Sequence, residues 1–209
     1  MRRMSTLDHL VVATPDLSAT VAALTAALGV APVAGGRHDG IGTRNHLLGL
    51  AEGGYLEVIG IDTGAPTPAA PRPFGLDTLD APRLSAWLVR VDGLAAAVEK
   101  ARAAGHDPGD PRPLGRTTPE GVELCWELAT PADTSGVAVV PYLIDWLDSP
   151  HPSAALPTVD LVSFTATHPD PERAAAALDA LGARLPVARG TSASLTAELS
   201  GPGGRITLT

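Results

Sequence analysis

The chain has a single cysteine, Cys125, in 209 residues. No internal disulfide can form, and no cysteine-rich zinc site exists. Aromatic residues make up only 3%: two Phe, two Tyr and three Trp. Positive charge is also short, with 15 Lys and Arg against 23 Asp and Glu and a formal net charge of −8. That balance argues against a nucleic-acid partner, which requires a basic face. No apolar run approaches the ~18 residues of a membrane span. Arg2 and Arg3 precede an apolar run that Asp8 and His9 interrupt, unlike a secretory leader. The expectation is a cytoplasmic protein with neither a nucleic-acid nor a membrane partner. No phosphate-binding loop, dinucleotide fingerprint or nucleophile elbow occurs.

The chain does have 44% hydrophobic residues, enough for a sizeable core, and it has a repeat. LDHLVVATPDLSATVAALTAALG (7–29) reads as a strand, a Thr14–Pro15 helix start, a stripe of Leu17, Val21, Leu24 and Leu28, and a Gly29 stop. A second segment runs from a strand at Ala86 through a cap at Asp92 and a stripe of Leu94, Val98 and Ala101 to Gly105. A third runs from a strand at Val159 through Asp170–Pro171 and Ala174, Leu178 and Leu181 to Gly182. The stop glycines are 76 and 77 residues apart, the mark of a duplicated unit. Three strand-like runs follow each helix, so each unit is predicted as βαβββ. The expected boundaries are 1–61, a proline-rich surface crossover at 62–84, 85–146, and a crossover with a third unit over 147–209.

Several residues stand out. Strand alternation puts Tyr55, Glu57 and Ile59 on one face. An ionised Glu57 on a buried face needs a partner: a metal, His9 or an arginine. Arg116, in GRTTPEG, can bind a carboxylate or phosphate, or be a solvated turn residue. Trp87, Trp126 and Trp146 serve either as core or as stacking surfaces for a ligand. Glu123, Cys125 and Glu127 alternate onto what reads as a solvent face. His106, His151 and His168 read as surface residues.

The stretches LDHLVVATPDL, GGRHDGIGTRNHLLGL, GGYLEVIG, GRTTPEGVELCWELATP and VPYLIDW resemble the vicinal oxygen chelate superfamily, and within it the glyoxalase-like domain family. The resemblance implies an α+β fold. In it, repeated βαβββ modules with curled mixed sheets form an open cup, here with a third C-terminal module. It implies a ligand set drawn from first and fourth strands, matching His9 and Glu57 as metal-binding and catalytic residues. Zn, Ni, Mn or Fe would suit an imidazole and a carboxylate. His38 or His46 is the candidate for a further histidine ligand. The HxxxGTxN pattern implies that His38 and Asn45 line the cup. The second unit departs from the ligand pattern. Trp87 takes the slot of His9, and Leu143 or Asp145 stands opposite Glu57.

Two functions follow. One is an enzyme of lyase, isomerase or dioxygenase type, with Glu57 and His9 catalytic. Its small oxygen-rich substrate would be held by His38, Asn45, Arg116, Trp87 and Trp126. The other is a metal-free binding protein for an antibiotic or metabolite. The third unit would leave Leu195, Leu199 and Ile206 exposed unless it docks within the chain or pairs with a second copy. A homodimer is the expectation.

Overall fold

The computed structural model describes residues 6–51 and 53–209. The first segment contains β1 (Thr6–Thr14), α1 (Leu17–Leu28), β2 (Val33–His38), β3 (Thr43–Leu50) and β4 (Tyr55–Ile61). The second contains β5 (Arg83–Arg90), α2 (Leu94–Ala103), β6 (Pro111–Thr117), β7 (Glu123–Ala129) and β8 (Tyr142–Asp145). The third contains β9 (Thr158–His168), α3 (Pro171–Leu181), β10 (Val187–Arg189), β11 (Ser194–Gly201) and β12 (Gly204–Leu208). No helix among the described residues is long and apolar enough to cross a membrane.

The helix starts correct two sequence expectations. α1 is capped by Asp16, which accepts from Ala19 N at 2.9 Å. Thr14 instead bonds Thr20 Oγ1 at 2.7 Å. α2 starts at Gly93, and its first amides are held across the fold: Asp145 Oδ2 accepts from Gly93 N and Leu94 N. A carboxylate there also suits the helix dipole. Asp145 is thus turned away from the cup. In α3 the Asp170 cap, Pro171 and left-handed Gly182 fall where the sequence places them.

In the first two segments the first strand pairs in parallel with the fourth, β1 with β4 and β5 with β8. β1 and β5 join antiparallel. β2 and β6 meet through one pair, Arg37 and Thr117. Together with β3–β4 these contacts close eight strands into a ring around a cup. Alternation divides the strand residues between two cores. Leu10, Val12, Leu56, Val58 and Val89 face the helices. Val11, Tyr55, Ile59, Leu88, Trp126 and Ile144 face the cup.

The third segment has the same element order but different pairing. β9 lies between β10, parallel, and β11, antiparallel. It packs over the helix-side core, where Leu195 and Leu199 become fully buried and Ile206 packs at the edge. Its hairpin docks on the end of α1, with Gly203 N donating to Leu28 O at 2.8 Å. The apolar face that motivated a homodimer is therefore covered by the same chain.

Candidate active site

Glu57 stands on the concave face of β4, with only 8% of its surface exposed. Its carboxylate is partnered from three sides. Asn45 Nδ2 donates to Oε1 at 2.6 Å. His9 Nε2 lies 3.7 Å from Oε2, and His38 Nε2 lies 3.8 Å from Oε1. These side chains come from four strands, β1 to β4, and all four face one cavity of about 540 Å3. Asn45 rather than His46 points inward, as the alternation of β3 requires. His46 is half-buried and lies outside the cavity lining.

Each histidine is oriented from behind. His38 Nδ1 bonds Thr43 Oγ1 at 2.9 Å, and burial pushes its imidazole below the usual histidine range, with Glu57 opposing that shift. His9 Nδ1 bonds Asp8 Oδ1 at 2.6 Å, and its ring stacks on Tyr55 at 4.5 Å. Neighbouring strand residues normally face opposite ways. A register irregularity between Leu7 and His9 lets Asp8 reach its neighbour.

Asp8 is fully buried. Its second oxygen accepts from Trp146 Nε1 and faces His151 Nε2, both at 3.0 Å. Burial alone would raise its carboxyl. The bonds to His151 and His9 outweigh that and hold it well below the usual range. Asp8 and His151 were not legible as site residues in the sequence. The only signal for Asp8 was its adjacency to His9. His151, read as a surface residue, lies in the crossover after β8 and packs against Tyr55 and Trp146.

The second segment contributes a cation. Arg116, on β6, is 6% exposed, and its Nη1 is buried with no hydrogen-bond partner among the described residues. Burial lowers its pKa, while Tyr55 and Glu57 oppose the shift. Two adjacent glycines of β2 make room for the site. A Cβ at Gly35 would stand 2.4 Å from Asn45 Oδ1. A Cβ at Gly36 would stand 2.3 Å from Thr117 O and 3.0 Å from Arg116 Nη1.

Trp126 lines the cavity, with His38 against it at 6.2 Å. Trp87 does not. Its indole lies in the helix-side core, donates to Val139 O at 2.9 Å and meets Phe164 edge-on. Neither Leu143 nor Asp145 faces Glu57. Tyr142 and Ile144 are the β8 residues that line the cup. The 62–84 crossover is more than surface chain. It passes over the mouth and inserts Phe74, 8% exposed, into the cavity.

The donors do not fit a divalent metal as placed. Among the described residues no three His, Cys, Asp or Glu side chains are arranged to hold one. One oxygen of Glu57 is already engaged by Asn45. The second segment brings the Arg116 guanidinium into the same cavity, and that charge opposes a dication.

Paired βαβββ segments enclosing one cup define a protein of the vicinal oxygen chelate superfamily. The sequence profile described as "Glyoxalase-like domain" matches residues 7–182, and the chain belongs to that family. No curated protein sequence matches it. Among solved structures, a hypothetical protein from Staphylococcus aureus is similar over 97% of this chain and 84% of its own, with 14% identity and a TM-score of 0.65. Methylmalonyl-CoA epimerase from Mycobacterium tuberculosis is similar over 69% of this chain and 89% of its own, with 21% identity and a TM-score of 0.46. A variant of the Streptomyces coelicolor epimerase, in complex with 2-nitronate-propionyl-CoA, covers 68% of this chain and 97% of its own, at 19% identity and a TM-score of 0.45.

Proposed function

We propose that the protein is an enzyme that moves a proton on a small molecule held in the cup, with Glu57 as the base. The carrying observation is the buried Glu57 carboxylate, set among Asn45, His9 and His38 with the cationic Arg116 in the same cavity. Glu57 takes a proton from a carbon beside a carbonyl. The electron pair of the broken C–H bond moves to the carbonyl oxygen, and Arg116 stabilises the resulting oxyanion. His9, backed by Asp8, stands beside Oε2 to pass the proton on. Asn45 and His38 fix the carboxylate. A divalent metal would act on the same oxygen as a Lewis acid, but the donor geometry gives it no seat, and no step depends on it.

The test is solvent exchange. The protein is incubated in D2O with a panel of carbonyl compounds bearing an acidic α-hydrogen, and deuterium entry is followed by NMR. Wild-type protein is expected to label at least one member. Glu57→Gln should lower that rate by about 100-fold or more. If no panel member exchanges while ligands still bind, the enzyme reading fails. The second reading, a metal-free binding protein, then takes over. Trp126 and Trp146, 5.2 Å apart on the cavity wall, favour it.

A further inference from the structure

The cup holds two features that proton transfer alone does not require. The first is aromatic. The chain has seven aromatic residues, and five of them (Tyr55, Phe74, Trp126, Tyr142 and Trp146) line this one cavity. A fold this poor in aromatics, with mostly Leu and Val filling its helix-side core, has concentrated them on the wall of one cavity. Four of the five form two pairs along the wall. Trp126 meets Trp146, and Phe74 lies nearly parallel to Tyr142 at 6.5 Å. Phe74 is delivered there at φ 61°, a conformation that a bulky residue seldom adopts. Its amide donates to Thr134 O, and Arg83 Nη2 ties the Phe74 and Ser135 carbonyls together.

The second feature is Arg116. Its Nη1 is buried with no hydrogen-bond partner among the described residues, and a buried polar group left unbonded is costly. It borders the aromatic wall directly. Arg116 pairs with Leu124, and Leu114 with Trp126, so Trp126 lies diagonally across the β6–β7 ladder from Arg116. The cavity, about 540 Å3, falls within the range of about 300–1,000 Å3 that takes drug-sized molecules. A two- or three-carbon acid would leave most of it empty.

We propose that the substrate class is an arylacetate-type acid, its ring one carbon from a carboxylate, with that carboxylate as the carbonyl group whose oxygens Arg116 holds and its ring system against Trp126, Trp146 and Phe74. This rests on the reading of the cup as a substrate site, but not on Glu57 acting as a base. A guanidinium binds a carboxylate through parallel N–H donors. Aromatic rings stack on aromatic walls with an increment beyond simple burial.

The experiment is isothermal titration calorimetry with four probes: 2-naphthylacetate, acetate, octanoate and 2-(2-naphthyl)ethylamine. 2-Naphthylacetate is expected to bind at least about tenfold more tightly than each of the others. Arg116→Met should weaken it by about tenfold or more. The same variant should keep a cooperative thermal transition and the wild-type circular dichroism spectrum, which shows it to be folded. Equal binding of the amine would overturn the carboxylate assignment. Equal binding of octanoate would overturn the aryl assignment, and equal binding of acetate would overturn both. So would an Arg116→Met variant with unchanged affinity, or no binding of any probe. Tight 2-naphthylacetate binding with no α-exchange on any carbonyl compound would sink the base reading alone.

Discussion

Asn45 Nδ2 donates to Glu57 Oε1 at 2.6 Å, across the β3–β4 ladder in which Leu47 pairs with Glu57 and Asn45 with Ile59. This diagonal contact is the shortest polar link to the buried carboxylate. Replacing Asn45 by Leu removes a hydrogen bond to a charged group. It should destabilise the fold by about 1.5–3 kcal/mol, measured by urea denaturation at pH 7. Asn45→Asp should cost more, since two carboxylates at that distance cannot both ionise. A loss under about 0.5 kcal/mol for both variants would show that Glu57 does not depend on this bond.

Gly36 admits no side chain. Its φ is +151°, and a Cβ would stand 2.3 Å from Thr117 O. Gly36→Ala should destabilise the chain by about 1–3 kcal/mol and weaken anion binding at Arg116. Gly35→Ala should act on Asn45 instead. Chemical shifts in 15N-labelled protein separate the two: Gly36→Ala perturbs β6, whereas Gly35→Ala perturbs β3. Swapped or identical patterns would refute this division.

Asp8 links acid stability to the site. Its folded pKa is held below the ordinary carboxylate value, net of the opposing effect of burial. The folded state therefore binds the proton less readily than the unfolded chain. The stability contributed by Asp8 is complete above the unfolded value of about 3.9 and is lost as pH falls towards the folded value. Asp8→Asn should thus destabilise at pH 5, and by less below about pH 4. A difference from wild type that stays constant down to pH 2.5 would contradict the assignment.

Metal content tests the donor geometry. Protein purified without a tag and analysed by elemental mass spectrometry should hold far less than one equivalent of Zn, Ni, Mn or Fe. Chelator treatment should leave 2-naphthylacetate affinity unchanged. One equivalent of metal, lost in both His9→Ala and Glu57→Ala, would restore these residues as ligands and overturn the reading of Glu57 as a free base.

Much of this architecture was legible because it is local. The Asp170–Pro171 start, the Gly29 and Gly182 stops and the helix stripes are decided within a few residues. The inward face of β4 follows from period two, and so does the solvent face of Glu123 and Cys125. The sequence left Trp87 open between core and ligand wall, because a slot in an element order carries no facing direction. Its ring turned to the helices and Val139. Asp8 and His151 escaped notice because a register irregularity and a long crossover bring them together, 143 residues apart. The third segment shares its element order with the others. Its different strand pairing is set by packing against α1, α2 and β5, which no local pattern encodes.

The ring of strands closes through one residue pair, Arg37 with Thr117, where the other ladders hold several. His38 and Arg116 sit immediately on either side of that seam. Local opening costs least where the fewest backbone bonds must break. The wall should therefore part between β2 and β6 before it parts elsewhere, with Thr117 among the first ring amides to exchange with solvent. A ligand anchored on Arg116 and touching His38 bridges both lips of the seam. Binding would then act as the missing rungs of the ladder, and protection of the β2 and β6 amides would report occupancy of the cup.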